Sequence, residues 1–231
     1  MKKYIYLIIL SLFMLGTSFY FSGCSTLSST GISSVAKSES PYAAISSSDR
    51  YRNIYLQSLK KYTRKADIYD KFNTVMYIGA TYFTKPFIYV HTKEYAEYYP
   101  LNKNAFIKKL KKSYVKFGKN ITFFVSVYTP EKSYNDLNSN RSIWMVYLVN
   151  NLGESVLPVS IKLPKRKKVF LKKFFPYITD WSKQYIIKFP IYYDKENNKL
   201  FMNNAAKWIK LVITGVNGKA VLKWNLKHGT L

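Results

Sequence analysis

The supply of classical acid–base, thiol and metal-ligating side chains is thin: two His, one Cys and twelve carboxylates among 231 residues. His91 and His228 stand far apart, and neither accompanies a Gly-x-Ser-x-Gly or another known nucleophile setting. A Ser-His-Asp set needs no sequence proximity, because it assembles across a fold. In its tyrosine-rich helical segment, however, His91 reads as a packed or exposed side chain. Asp67 and Asp70, three apart near the end of a predicted helix, could pair as carboxylates or hold a cation. With Arg64, Lys65 and Lys71 beside them, capping or salt bridging is the expectation. Glu94 and Glu97 are also three apart, which suits ion pairing on an exposed helix face. The glycines at 79, 118, 153, 215 and 218 are isolated and make no phosphate loop. One Cys forbids an internal disulfide, and with two His it leaves no Cys-rich zinc site. No catalytic residue, cofactor or metal is assigned, and the chain is expected not to be an enzyme.

Charge is the stronger signal. Lys and Arg number 37 against 12 Asp and Glu, for a net charge of +25. Only five of the basic residues are Arg (50, 52, 64, 141 and 166). Arg reads phosphate by two-pronged hydrogen bonding, whereas Lys acts as a point charge near an anionic surface. Two groups stand out. One is Lys108, Lys109, Lys111, Lys112 and Lys116; the other is Lys165, Arg166, Lys167 and Lys168, continuing at Lys172 and Lys173. The functional reading is contact with anionic lipid, lipopolysaccharide or a wall polymer, since each Lys near an anionic bilayer adds about 1 kcal/mol. The bland reading is A/T-rich coding, which favours Lys, Asn, Ile, Tyr and Phe together; 22 Tyr fit it.

Export decides among partners. Lys2 and Lys3 precede an uncharged run of 17 residues, Ile5 to Phe21. That is short for a membrane span of about 20 residues and suits a signal peptide. The run ends in Phe21-Ser22-Gly23-Cys24, which resembles the lipobox of bacterial lipoproteins, with Phe21 where Leu is usual. The resemblance implies cleavage before Cys24 and attachment of diacylglycerol to its thiol. Each buried CH₂ contributes about 0.8 kcal/mol, so several chains anchor a protein firmly. Ser25 after the acylated Cys implies the outer membrane, facing the periplasm, in a two-membraned cell. Export also sets nucleic acid aside, despite the Lys and aromatic interleaving of 168–175.

The elements that must carry these residues follow from periodicity. Residues 24–48 are Ser-dominated and read as a tether. Ser48-Asp49 caps a helix with Tyr51, Ile54, Tyr55, Leu59 and Tyr62 on one face. A short β-like piece, Phe72 to Tyr77, precedes a second helix over Lys85 to Tyr98, with Pro86 in its first turn. A third, capped by Asn102 or Asn104, carries Phe106, Ile107, Leu110, Tyr114 and Phe117, with Gly118 as C-cap. Past Asn120 the period becomes two. Strands are expected at Ile121–Tyr128, Ser142–Val149 (apolar on both faces), Leu157–Leu163 (an edge or a bulge, given Pro158), Val169–Phe175, Gln184–Phe189, Trp208–Thr214 and Ala220–Leu226. Asn217-Gly218 signals the last hairpin.

About seven antiparallel strands at this spacing suggest a sandwich. The predicted fold is therefore α+β: an N-terminal helical part packed on a C-terminal antiparallel β-sandwich of immunoglobulin-like architecture. The expected division is signal peptide 1–23, tether 24–48, mainly helical 49–119 and sandwich 120–231. Phe174-Phe175-Pro176-Tyr177-Ile178, Trp181-Ser182, Tyr185-Ile186-Ile187-Lys188-Phe189-Pro190 and Val221-Leu222-Lys223-Trp224 resemble segments of uncharacterised exported bacterial lipoproteins, a likeness that implies no activity. The functional expectation is a lipid-anchored cell-envelope protein of binding or accessory role, with envelope proteins as further partners. The alternatives are an exported hydrolase of an envelope polymer and a carrier of a hydrophobic ligand inside the sandwich.

Overall fold

A computed structural model of the chain describes residues 41–226, with side chains from residue 49. Cys24, most of the tether and His228 lie outside the described residues. Helix α1 spans Pro41–Tyr62 and so begins ahead of Asp49; Pro at the first helical position has its φ preset and needs no N–H partner. Then come β1 (Thr63–Asp70), β2 (Asn73–Tyr82), α2 (Lys85–Tyr98), α3 (Lys103–Gly118) and β3 (Ile121–Tyr128). After them run β4 (Trp144–Asn150), β5 (Ser155–Val156), β6 (Ser160–Lys162), α4 (Lys168–Phe174) and β7 (Lys183–Phe189). The short strands β8 (Tyr192–Asp194) and β9 (Lys199–Leu200) precede β10 (Trp208–Gly215) and β11 (Gly218–Asn225). The fold is a mixed α+β structure in which every strand pair is antiparallel.

Two main sheets form, in the orders β1-β2-β3-β7-β6 and β11-β10-β4-β5, with β8-β9 as a separate hairpin. One hydrophobic cluster takes residues from both: Ile78, Phe123, Val125 and Ile187 from the first, Leu148, Leu211 and Trp224 from the second. The other face of the five-stranded sheet meets a second cluster, built from Tyr55 and Leu59 of α1, Phe87 and Ile88 of α2, and Leu171 and Phe174 of α4. Strand β3 consequently buries both faces: Phe123 and Val125 enter the shared cluster while Phe124 enters the helical one.

Several expectations need correcting. Asp67 and Asp70 sit on β1, not at a helix end, and β1 and β2 join the sheet of β3. Strand β4 is buried on one face only: Trp144, Val146 and Leu148 are buried, and Met145 is 59% exposed. Leu157, Val159 and Leu163 do not share a buried face; all three are exposed. Around Pro158 the chain leaves the edge of one sheet as β5 and joins the edge of the other as β6. Residues 169–175 are not a strand but largely helix α4, since Val169, Phe170 and Leu171 fall in a helical turn. Gly118 ends α3 in helical conformation, and Lys119 takes the C-cap position. The last hairpin turns at Val216-Asn217, with Gly215 paired to Gly218.

Candidate functional site

On the helical side of the five-stranded sheet, a cleft of about 510 Å³ opens between the end of α3, strand β6 with its connection to α4, and β7. Local rules aim its side chains. Asn102 caps α3 by accepting from the Ala105 N–H at 2.9 Å, which starts the helix so that Tyr114 and Phe117 pack inward. Lys116 then falls beside Phe117 in the last turn, its Nζ 4.7 Å from that ring's centroid. On β7, Tyr185, Ile187 and Phe189 enter the core shared by the sheets, so the period of two sends Ile186 and Lys188 to the helical side. The same alternation on β6 turns Ile161 into the core and Ser160 and Lys162 toward the cleft. Strand β6 ends at Lys162, and past Pro164 the chain presents Lys165 and Arg166 at the mouth, with the Arg166 guanidinium 4.7 Å from the Phe170 ring.

The floor is aromatic and aliphatic. Phe83 stacks on Phe117 at 4.4 Å between centroids, and Phe124 on Phe175 at 4.0 Å. Phe123, Leu163, Leu171 and Ile186 add to it, and among the described residues Ser160 is the sole uncharged side chain there with a hydrogen-bonding group. The rim is wholly cationic among the described residues: Lys116, Lys162, Lys165, Arg166 and Lys188, with no carboxylate of these residues lining the cleft. Among the described residues the ion pairs are Arg52–Glu94, Lys172–Asp180 and Lys199–Asp194, so none reaches the rim. Lys188 Nζ instead donates to the Lys116 backbone carbonyl at 3.2 Å. Burial lowers the Lys116 pKa, and the nearby charges of Lys109, Lys188, Arg166 and Lys112 lower it further. Like charges crowded beside an apolar floor are unfavourable unless an anion joins them.

The structure brings together members of both lysine groups. Lys116 comes from the α3 group, and Lys165 and Arg166 from the second. Lys162 and Lys188 belong to the site as well but stand outside both sequence runs; their period-two placement was the one sequence signal for them. Lys108, Lys111 and Lys112 are exposed on α3, and Lys109 lies 3.9 Å over the Tyr95 ring. Lys167 is the exposed N-cap residue of α4. Three others turn elsewhere. Lys168 donates to the Asp180 carbonyl at 2.8 Å, Lys172 pairs with the Asp180 carboxylate, and Lys173 sits 4.8 Å over Tyr98.

His91 lies behind the cleft, within 6.1 Å of the rings of Tyr55, Phe83, Phe87, Phe174 and Phe175. Among the described residues its one side-chain hydrogen-bond partner is the Tyr55 hydroxyl, 3.4 Å from Nδ1. Burial, with Lys116 and Lys109 adding like charge, pushes its pKa down to about 3. Glu94 is not on an exposed face as expected: it is buried and paired with Arg52 at 2.6 Å. Asp67 lines a second groove, about 490 Å³, together with Lys65, Tyr77, Tyr128, Tyr177 and Trp181. Among the described residues no group of three or more His, Cys, Asp or Glu is placed to hold a metal ion.

No family model and no curated protein matches the chain. Among solved structures, a crystal structure of a protein of unknown function from Burkholderia pseudomallei is similar, with 8% identity, a TM-score of 0.42, and coverage of 80% of this chain and 88% of that one.

Proposed function

We propose that this is a lipid-anchored protein of the bacterial cell envelope that binds an anionic envelope component and catalyses no reaction. Cys24 is its acylated anchor in this reading, and Ser25 places it on the outer membrane, facing the periplasm, where the cell has two membranes. The two sheets around one shared cluster are read as a β-sandwich of immunoglobulin-like architecture, with α1 to α4 laid on its five-stranded side.

The observation that carries the proposal is the convergence of five cations, from α3, β6, β7 and the β6–α4 connection, on one cleft without a carboxylate. A solvated lysine face arising from coding bias alone has no reason to concentrate charge at an aromatic hollow. The non-enzymatic reading is supported by His91, whose neighbours are rings and a Tyr hydroxyl rather than a carboxylate and a nucleophile. At about 1 kcal/mol per cation near an anionic bilayer, the five rim cations strengthen attachment by a factor of roughly several thousand at low salt.

Vesicle co-sedimentation of residues 25–231, which retain every described helix and strand, tests this. Binding to anionic vesicles, weakened by salt and by combined Lys116→Gln, Arg166→Gln and Lys188→Gln, is the expected result. Equal binding to neutral vesicles, or no effect of the three substitutions, would reject it.

A further inference from the structure

We infer that the cleft accommodates a single-chain anionic amphiphile, its alkyl chain on the aromatic floor and its phosphate or carboxylate head among the rim cations. The inference rests on the reading of the rim as an anion site and adds what fills the hollow beneath it.

The floor makes the distinction. An anion bound by the rim alone would leave the exposed Leu163 and the half-buried Phe117 and Ile186 facing water in a 510 Å³ cleft, above the buried rings of Phe83, Phe124 and Phe175. Removing apolar surface from water is the main gain available there. Sugars and wall glycans fit poorly, because their hydroxyls need hydrogen-bonding partners and the uncharged lining offers only Ser160. A bare anion fits poorly too, since four of the five rim charges are lysines, which give point-charge attraction rather than a shaped, two-pronged cradle. An alkyl chain asks for no hydrogen bonds, and its charged end relieves the crowding of Lys116 by its cationic neighbours. The volume lies within the range usual for small-molecule sites, about 300–1,000 Å³. The cleft sits between the helical layer and the sheet, and of its lining Phe123 alone belongs to the core shared by the two sheets, so occupancy asks for little opening of that core.

Residues 25–231 would be titrated calorimetrically with dodecyl phosphate below its self-association concentration. Inorganic phosphate and dodecyl glucoside serve as the headgroup-only and chain-only controls. Saturable binding of one dodecyl phosphate per chain is expected, with inorganic phosphate at least a hundredfold weaker and the glucoside at least tenfold weaker. Ser160→Trp fills the cleft from an edge strand and should weaken binding at least tenfold; the Lys116→Gln/Arg166→Gln pair should do the same and flatten the salt dependence. Circular dichroism of each variant separates loss of the site from loss of fold. Inorganic phosphate binding as tightly as dodecyl phosphate, or unchanged binding in folded Ser160→Trp, would overturn the inference. The broader reading fails differently. If anionic vesicles bind but dodecyl phosphate does not, the amphiphile site is wrong and surface contact stands. If dodecyl phosphate binds but anionic vesicles do not, the site holds a free amphiphile and the membrane-surface reading is the one that fails.

Discussion

Replacing His91 by Phe should turn an acid-sensitive protein into a less sensitive one. In the fold the imidazole is held neutral, with a pKa near 3 against 6.5 for an unconstrained His, because burial disfavours the cation and Lys116 and Lys109 repel it. Below pH 6.5 the unfolded chain takes up a proton that the folded chain refuses, so acid favours unfolding. Well below pH 6.5 each further pH unit removes about 1.4 kcal/mol, and at pH 4.5 the loss relative to pH 7.5 reaches about 2.7 kcal/mol. Above pH 6.5 the contribution is fully present; it falls as pH drops and levels off only near the folded pKa. Phe keeps the ring contacts with Phe83, Phe174 and Phe175. It gives up the 3.4 Å contact with Tyr55, whose hydroxyl retains its 2.7 Å bond to the Phe174 carbonyl. At pH 7.5 the variant should therefore lie within about 1.5 kcal/mol of the parent. Urea unfolding of both proteins, followed by fluorescence of the buried Trp144 and Trp224, gives the difference at each pH. Carboxylates titrate alike in both, so the change in that difference isolates His91. It should move by 2–3 kcal/mol (a rough figure) in favour of the variant between pH 7.5 and 4.5. A difference constant across that interval, or a His91 resonance titrating near 6.5, would refute the reasoning.

Arg52→Met should cost about 3 kcal/mol in urea unfolding, because it leaves the Glu94 carboxylate, with a side chain 2% exposed, without its partner; adding Glu94→Leu should restore most of the loss. Gly218→Ala should destabilise by about 1–3 kcal/mol and lower the melting temperature, since the φ of 131° disfavours any side chain and the new Cβ would lie 2.4 Å from Ile68 Cγ2. Trp224→Phe removes the indole N–H that donates to the Tyr62 carbonyl at 2.8 Å, and about 2 kcal/mol should be lost, measurable by the same unfolding assay through Trp144.

Legibility followed the physics of each segment. Helices α2 and α3 could be read because Pro86 in the first turn of one, the Asn102 cap of the other and their terminal breaks are written in local chemistry, whereas the Thr84 cap of α2 shows only in the structure. Strands β3, β7, β10 and β11 carry β-branched and aromatic runs that fit nothing else. Strand β1 escaped notice because Arg64, Lys65, Asp67 and Asp70 give it little apolar alternation; as an edge strand it buries only Ile68 fully. Helix α4 escaped because an apolar and basic heptad satisfies periods of two and 3.6 alike. The lysine runs of the cleft were visible, but not their meeting. Convergence depends on the β6–β7 pairing, Ser160 opposite Lys188 and Lys162 opposite Ile186, which is long-range and leaves no local trace.

The indole of Trp224 that holds the Tyr62 carbonyl also bears on the order of folding. That bond joins residues 162 apart in sequence, and Arg64 reaches the Lys223 carbonyl across 159. Closing so long a loop loses chain entropy before any contact compensates, and folds dominated by distant pairings form in milliseconds to seconds rather than microseconds. A chain emerging N-terminus first cannot fasten the end of α1 or complete the core between its sheets until β11 has arrived. That delay bears on the proposed export, because a chain that has not locked can still be threaded through a translocation channel; a truncation before Gly218 should leave a chain that never locks.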